Sequence, residues 1–117
     1  MPRNESINYL EIPSSNLTLT KAFFSAVFNW KFTDYGPEYC AFESGEIEGG
    51  FFYSKKSSQQ QEGSVLIVFY SDDLLLTQEK VVSSGGTLFK EIFEFPGGRR
   101  FHFSDPTGNE FAVWSDK

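Results

Sequence analysis

At 117 residues, with 39% apolar and 18% aromatic side chains, the chain has length for one core and too many large rings to remain disordered. Its 10 basic against 16 acidic residues give a net charge of −6, and an isolated basic pair such as Arg99-Arg100 is too small a footprint for nucleic acid. A single cysteine, Cys40, excludes an intrachain disulfide and a thiolate metal cluster, while no apolar run reaches membrane-spanning length.

The start, Met1-Pro2-Arg3-Asn4-Glu5, is polar and has no apolar signal region, so a cytoplasmic protein without nucleic-acid or membrane partners is expected. Ile7 to Ile12 alternates as a strand, with Tyr9 and Glu11 on one face and Leu10 and Ile12 on the other. Pro13-Ser14-Ser15-Asn16 supplies a turn and helix-capping side chains. From Thr18 to Asn29, Leu19, Ala22, Phe23, Ala26, Val27 and then Trp30 recur at helical spacing and predict one buried face. Three short strands follow at Lys31–Tyr35, Tyr39–Glu43 and Glu48–Tyr53. Residues 54–63 are polar and aperiodic and read as a linker.

The second half repeats the plan. Val65–Tyr70 is an apolar strand, and Asp72-Asp73 caps a helix carrying Leu74, Gln78, Val81 and Val82, which ends at Gly85-Gly86. Thr87–Glu91, Arg99–Ser104 and Glu110–Ser115 are strands separated by Phe95-Pro96-Gly97-Gly98 and by Asp105-Pro106-Thr107-Gly108-Asn109. The expectation is one α+β domain over residues 1–117, built from βαβββ modules at about 6–53 and 64–116 that associate because neither covers its own sheet.

That order, with several local strings, resembles the vicinal-oxygen-chelate superfamily of glyoxalases, bleomycin-resistance proteins and dioxygenases. Glu11-Ile12-Pro13 resembles the end of the family's first strand. Ala22-Phe23-Phe24-Ser25-Ala26-Val27-Phe28-Asn29-Trp30 is similar to its first helix end, with Asn29 where glycine is usual, and Gly49-Gly50-Phe51 matches its fourth strand. The run from Phe101 to Trp114, with Asp105-Pro106-Thr107-Gly108-Asn109 at its centre, resembles the ending of a bacterial branch related to lactoylglutathione lyase. The resemblance implies a curved mixed sheet around a ligand cleft, and a homodimer.

It also implies where a divalent metal would sit in the metal-dependent members: at Tyr9, near Gly50, at Leu66 and at Ala112. Glycine, leucine and alanine have no donor and a neutral phenol is a poor one, so no metal cofactor is expected. The cleft then reads as a small-molecule site lined by Tyr9, Leu66, Tyr70, Arg100, Ala112 and Trp114, with Tyr70 taken as the second-module counterpart of Tyr9.

Two residues are candidate catalytic groups. Glu11, if held among rings, would act as a base, or it would pair with Arg100 across the modules. His102, facing the cleft in phase with Arg100, reads either as a hydrogen-bonded or surface histidine or as a general acid or base. Cys40 reads as a core residue rather than a nucleophile paired with His102, and Trp30 and Phe23 read as core. The functions in view are a metal-free binding module, a glyoxalase-related lyase or isomerase, and a regulatory or interaction domain.

Overall fold

A computed structural model describes residues 2–117. The first module runs β1 (Tyr9–Ser14), α1 (Leu17–Phe28), β2 (Lys31–Asp34), β3 (Tyr39–Glu43) and β4 (Glu48–Tyr53). After a 3₁₀ turn at Gln60–Glu62, the second runs β5 (Ile67–Tyr70), α2 (Leu74–Ser83), β6 (Thr87–Phe95), β7 (Gly98–Ser104) and β8 (Glu110–Ser115). Each module folds into a four-stranded mixed sheet, in the orders β1-β4-β3-β2 and β5-β8-β7-β6. In each, the first strand lies parallel to the last and the other pairs are antiparallel. This is the glyoxalase-like α+β architecture expected from the chain order.

The duplication is sharpest where strand gives way to helix. Ser14, Asn16 and Thr20 recur at identical spacing as Ser71, Asp73 and Thr77. Ser14 Oγ meets Thr20 Oγ1 at 2.7 Å, and Ser71 Oγ meets Thr77 Oγ1 at 2.7 Å. The Asn16 and Asp73 side chains accept from Leu19 and Leu76 N–H, closing the orphan donors of the two helix starts. In this alignment Tyr9 corresponds to Leu66, and Tyr70 to Pro13. The expected pairing of Tyr70 with Tyr9 is therefore corrected.

α1 joins the modules. Phe24 stacks on Trp30 at 4.8 Å, lies 5.3 Å from Phe51 of its own sheet and 5.3 Å from Phe111 of the other. Phe28 stacks on Phe69 at 4.2 Å, and Phe23 lies 5.8 Å from Phe103. Phe23 and Trp30 are core, as expected, and Cys40 is buried with them. Asn29 ends α1 at φ 59, a left-handed position that asparagine accepts more readily than most side chains, which explains its standing where glycine is usual.

Several boundaries and one phase differ from expectation. β1 is shifted to Tyr9–Ser14 because its partner β4 begins at Glu48, and Ile7 stays exposed. Pro13 is tolerated there because β1 is an edge strand. Thr20, Phe23, Phe24 and Val27 form the buried face of α1, whereas Leu19, Ala22 and Ala26 face out. Rings that reach both sheets fix that phase. In α2 the buried residues are Leu74, Thr77 and Val81, with Val82 half exposed.

β6 runs on to Phe95, with register shifts between Leu88 and Lys90 and between Lys90 and Phe93. The polar stretch after β4 is no free tether. Ser58 N–H donates to Asn109 Oδ1 at 2.7 Å, and Glu110 N–H donates to the Ser58 carbonyl at 2.7 Å. Asn109 Nδ2 also donates to the Pro13 carbonyl at 2.6 Å, so the turn before β8 ties both modules and the linker together. No helix among the described residues is long and apolar enough to cross a membrane.

Candidate functional site on the outer faces of the two sheets

β7 alternates as expected. Phe101 and Phe103 point into the core, which sends Arg100, His102 and Ser104 to the outer face of the second sheet. Strand pairing sets Trp114 beside Arg100, Ala112 beside His102 and Glu110 beside Ser104, while Val68 and Tyr70 of β5 flank Ala112 and Trp114. Val68, Phe95, Gly97, Arg100 and Trp114 border a shallow, open hollow of about 320 Å³. The Arg100 guanidinium carbon lies 5.4 Å from the Phe93 ring centre and 5.6 Å from that of Phe95, a cation–π arrangement.

Trp114 meets Tyr70 edge-on at 5.1 Å. The Tyr70 hydroxyl donates to Asp116 Oδ1 at 2.6 Å, which raises the phenol's pKa and lowers that of the carboxyl.

Deeper on the same face, His102 is fully buried. Its Nδ1 lies 2.7 Å from Glu110 Oε2, while Glu110 Oε1 accepts from Gln60 N–H at 2.9 Å. Burial pushes the Glu110 carboxyl up, but the hydrogen bonds from His102 and Gln60 outweigh it and hold the pKa below the ordinary value. An ionised carboxylate only accepts, so the imidazole proton belongs on Nδ1. His102 Nε2 and Arg100 Nε are buried without a hydrogen-bond partner.

The outer face of the first sheet is open and polar. The Tyr9 and Tyr39 hydroxyls are 2.6 Å apart, and Tyr39 donates onward to Glu11 Oε2 at 3.1 Å. Partial burial, then these hydrogen bonds, hold the Tyr39 phenol well above its usual pKa. Tyr39 also crosses Gly50, where a Cβ would collide with its hydroxyl.

The expected site residues are thus divided. Arg100, His102, Ala112, Trp114 and Tyr70 share the second sheet, with Leu66 half-buried just before β5. Tyr9 and Glu11 lie on the first sheet, and no hydrogen bond joins the two groups. The Glu11–Arg100 ion pair, one of the two alternatives for Glu11, does not form: Glu11 is occupied by Tyr39 and Arg100 lies over phenylalanines. Glu11 is exposed and borders a groove of about 350 Å³ between β1 and the start of β8, so the enclosure among rings that would make it a base is absent. Cys40 lies in the core, its thiol pKa raised by burial, with no contact to His102.

Sequence reasoning missed Tyr39, Phe93, Phe95 and Glu110. Glu110 was accessible, being in strand phase with Ala112 and Trp114. The others depend on register between strands, which no local pattern reveals.

A metal fits poorly at the four positions the fold family would use. Gly50, Leu66 and Ala112 offer no donor, the Tyr9 phenol is engaged by Tyr39, and Tyr39 fills the space over Gly50. No three His, Cys, Asp or Glu side chains converge as a ligand set among the described residues.

Residues 6–113 match the model of the Glyoxalase/Bleomycin resistance protein/Dioxygenase superfamily. The chain belongs to that superfamily. Solved structures agree with this. A glyoxalase/bleomycin resistance protein/dioxygenase family enzyme from Burkholderia phytofirmans is similar at TM-score 0.79 and 17% identity, covering 96% of this chain and 99% of its own. Lactoylglutathione lyase from Agrobacterium tumefaciens is similar at TM-score 0.71 and 19% identity, covering 97% and 96%. The fosfomycin resistance protein of Listeria monocytogenes is similar at TM-score 0.74 and 18% identity, covering 98% and 94%. No curated protein matches the sequence. At these identities the likeness is one of fold, and the activities named for those superfamily members are theirs.

Proposed function

We propose that this superfamily member is a glyoxalase/bleomycin-resistance-type protein that binds a small aromatic or apolar organic molecule on the outer face of its second sheet, without a metal cofactor. The supporting observation is the hollow between Trp114, Phe95, Val68 and Arg100, with Tyr70 buttressing the indole. Such a concave apolar surface with one polar group on it is the usual form of a small-molecule site.

A thermal-shift screen with small aromatic and keto compounds tests this directly. Trp114→Ala is expected to weaken any hit at least about tenfold, and Tyr9→Ala to leave it unchanged because Tyr9 lies on the other sheet. Equal losses in both variants, or none in either, would refute the assignment. Stoichiometric zinc, nickel, iron or manganese in the purified protein would refute the metal-free part.

A second reading, a glyoxalase-related lyase or isomerase, is favoured by the His102–Glu110 pair, in which the carboxylate fixes the tautomer and leaves Nε2 as the free basic nitrogen. Its test is turnover of a 2-oxoaldehyde–thiol adduct that is abolished in His102→Asn. A homodimer belongs to the same proposal. Tyr9 and Phe52 stay about two-fifths exposed on the outer face of the first sheet, and a partner would cover them. Light scattering showing a strict monomer would refute it.

A further inference from the structure

Two buried side-chain nitrogens without a partner, Arg100 Nε and His102 Nε2, lie on the same face of the same strand, and Arg100 lines the hollow described above. Buried donors are almost always satisfied, and with the imidazole proton on Nδ1 the His102 Nε2 is an acceptor, so the orphan donor is the Arg100 Nε–H, which calls for an acceptor from outside the chain. Arg100 also has no acidic partner: the ion pairs among the described residues are Lys21–Asp34 and His102–Glu110. Asp116, near Trp114 through Tyr70, is held by the Tyr70 hydroxyl. Phe93 and Phe95 take up the stacking surface of the guanidinium and leave its N–H edge, the edge that matches the two oxygens of a carboxylate in one plane.

We infer that the ligand of this hollow is an aromatic carboxylate, its ring against Trp114 and Phe95 and its carboxylate on the edge of Arg100. The inference rests on the proposed binding function and specifies the ligand's chemistry. The protein's net charge of −6 disfavours anions in general, so discrimination must come from a local cation, and Arg100 is the charged residue that lines the hollow.

The chain has three arginines, Arg3, Arg99 and Arg100, and two tryptophans, so side-chain N–H signals in a ¹⁵N-labelled sample resolve the site. Titration with 2-naphthoate, 2-naphthamide and acetate is the experiment. Naphthoate is expected to bind at least about tenfold more tightly than the amide and to shift the Arg100 Nε–H and Trp114 indole signals, with acetate much weaker than either. Arg100→Gln is expected to reduce naphthoate to the affinity of the amide and leave the amide unchanged. Arg100→Lys, which keeps the charge without the fork, should fall between.

Equal affinity for naphthoate and naphthamide at Trp114 would overturn the carboxylate while leaving the aromatic site standing. Acetate binding as tightly as naphthoate, or shifts confined to Arg3 and Arg99, would also overturn it. Failure of every probe to bind would overturn both. If Arg100→Gln does not fold, the wild-type ranking of the three probes and the Arg100 signal still decide.

Discussion

The two modules share a backbone plan and differ on their outer faces. At the helix starts the copies agree atom for atom: a serine–threonine hydroxyl pair, then an Asn or Asp cap. On the outer faces, the first sheet carries a solvent-facing Tyr9–Tyr39–Glu11 chain, while the second buries His102 and Glu110 beside an arginine held by aromatic rings. What closes a helix end is geometry that both copies need, so it is retained. What faces outward is not needed to close the core, so it is free to diverge.

That contrast can be broken or sharpened by matched substitutions. The largest effect is expected in the core, where Phe24 of α1 and its counterpart Val81 of α2 occupy equivalent positions. Phe24→Ala should cost about 3–5 kcal/mol in denaturant unfolding because it opens a cavity touching both sheets. Val81→Ala should cost roughly 2 kcal/mol, since fewer buried carbons are removed. Equal losses would mean that α1 is not the joint between modules.

Next come the acidic residues of the outer faces. Glu110→Ala breaks a buried pair, strands the His102 Nδ1–H and should cost about 3 kcal/mol. Because the Glu110 pKa is lowered on folding, its contribution is present above its ordinary value of 4.5 and fades as pH falls through the folded value. A Glu110→Gln variant should therefore show a flatter loss of stability between neutral and acid pH than the parent. An unchanged acid limb would remove Glu110 from the account.

Ser14→Ala leaves a buried Thr20 hydroxyl unpaired and should cost about 1–2 kcal/mol. Ser71→Ala should cost roughly half that, because the Thr77 hydroxyl keeps the Asp73 carbonyl as a partner at 3.3 Å. At the small end, Glu11→Ala removes a carboxylate from an open surface, and Tm should move by no more than about 2 °C. A larger drop would show that the first sheet's outer face is structural after all.

The legible parts were those encoded locally. β3, β4 and β8 fell at their expected bounds because each pairs short apolar alternation with strong turn residues. The phase of β7 was legible from Phe101 and Phe103, which lie in the core and so turn Arg100 and His102 to the opposite face of the sheet. The helix caps Asn16 and Asp73 were readable for the same reason: a cap is a bond between near neighbours. The phase of α1 was not legible, because alanines and Leu19 fit helical spacing as well as Phe24 does. Only rings in the other module decide between the two faces.

By itself, the sequence determined the duplicated βαβββ plan, the resemblance to the superfamily, and side chains without donor atoms at Gly50, Leu66 and Ala112, because periodicity, turn chemistry and residue type are local properties. Tertiary structure alone decided that Tyr9 and Glu11 lie apart from Arg100 and Trp114, that Glu110 holds both His102 and the linker, and that Arg100 rests on Phe93 and Phe95. Each of those depends on strand register or on contacts between strands. The Glu110–Gln60 bond spans 50 residues, and even the close pairs, His102 with Glu110 and Arg100 with Phe93 and Phe95, meet only once neighbouring strands of the second sheet are in register.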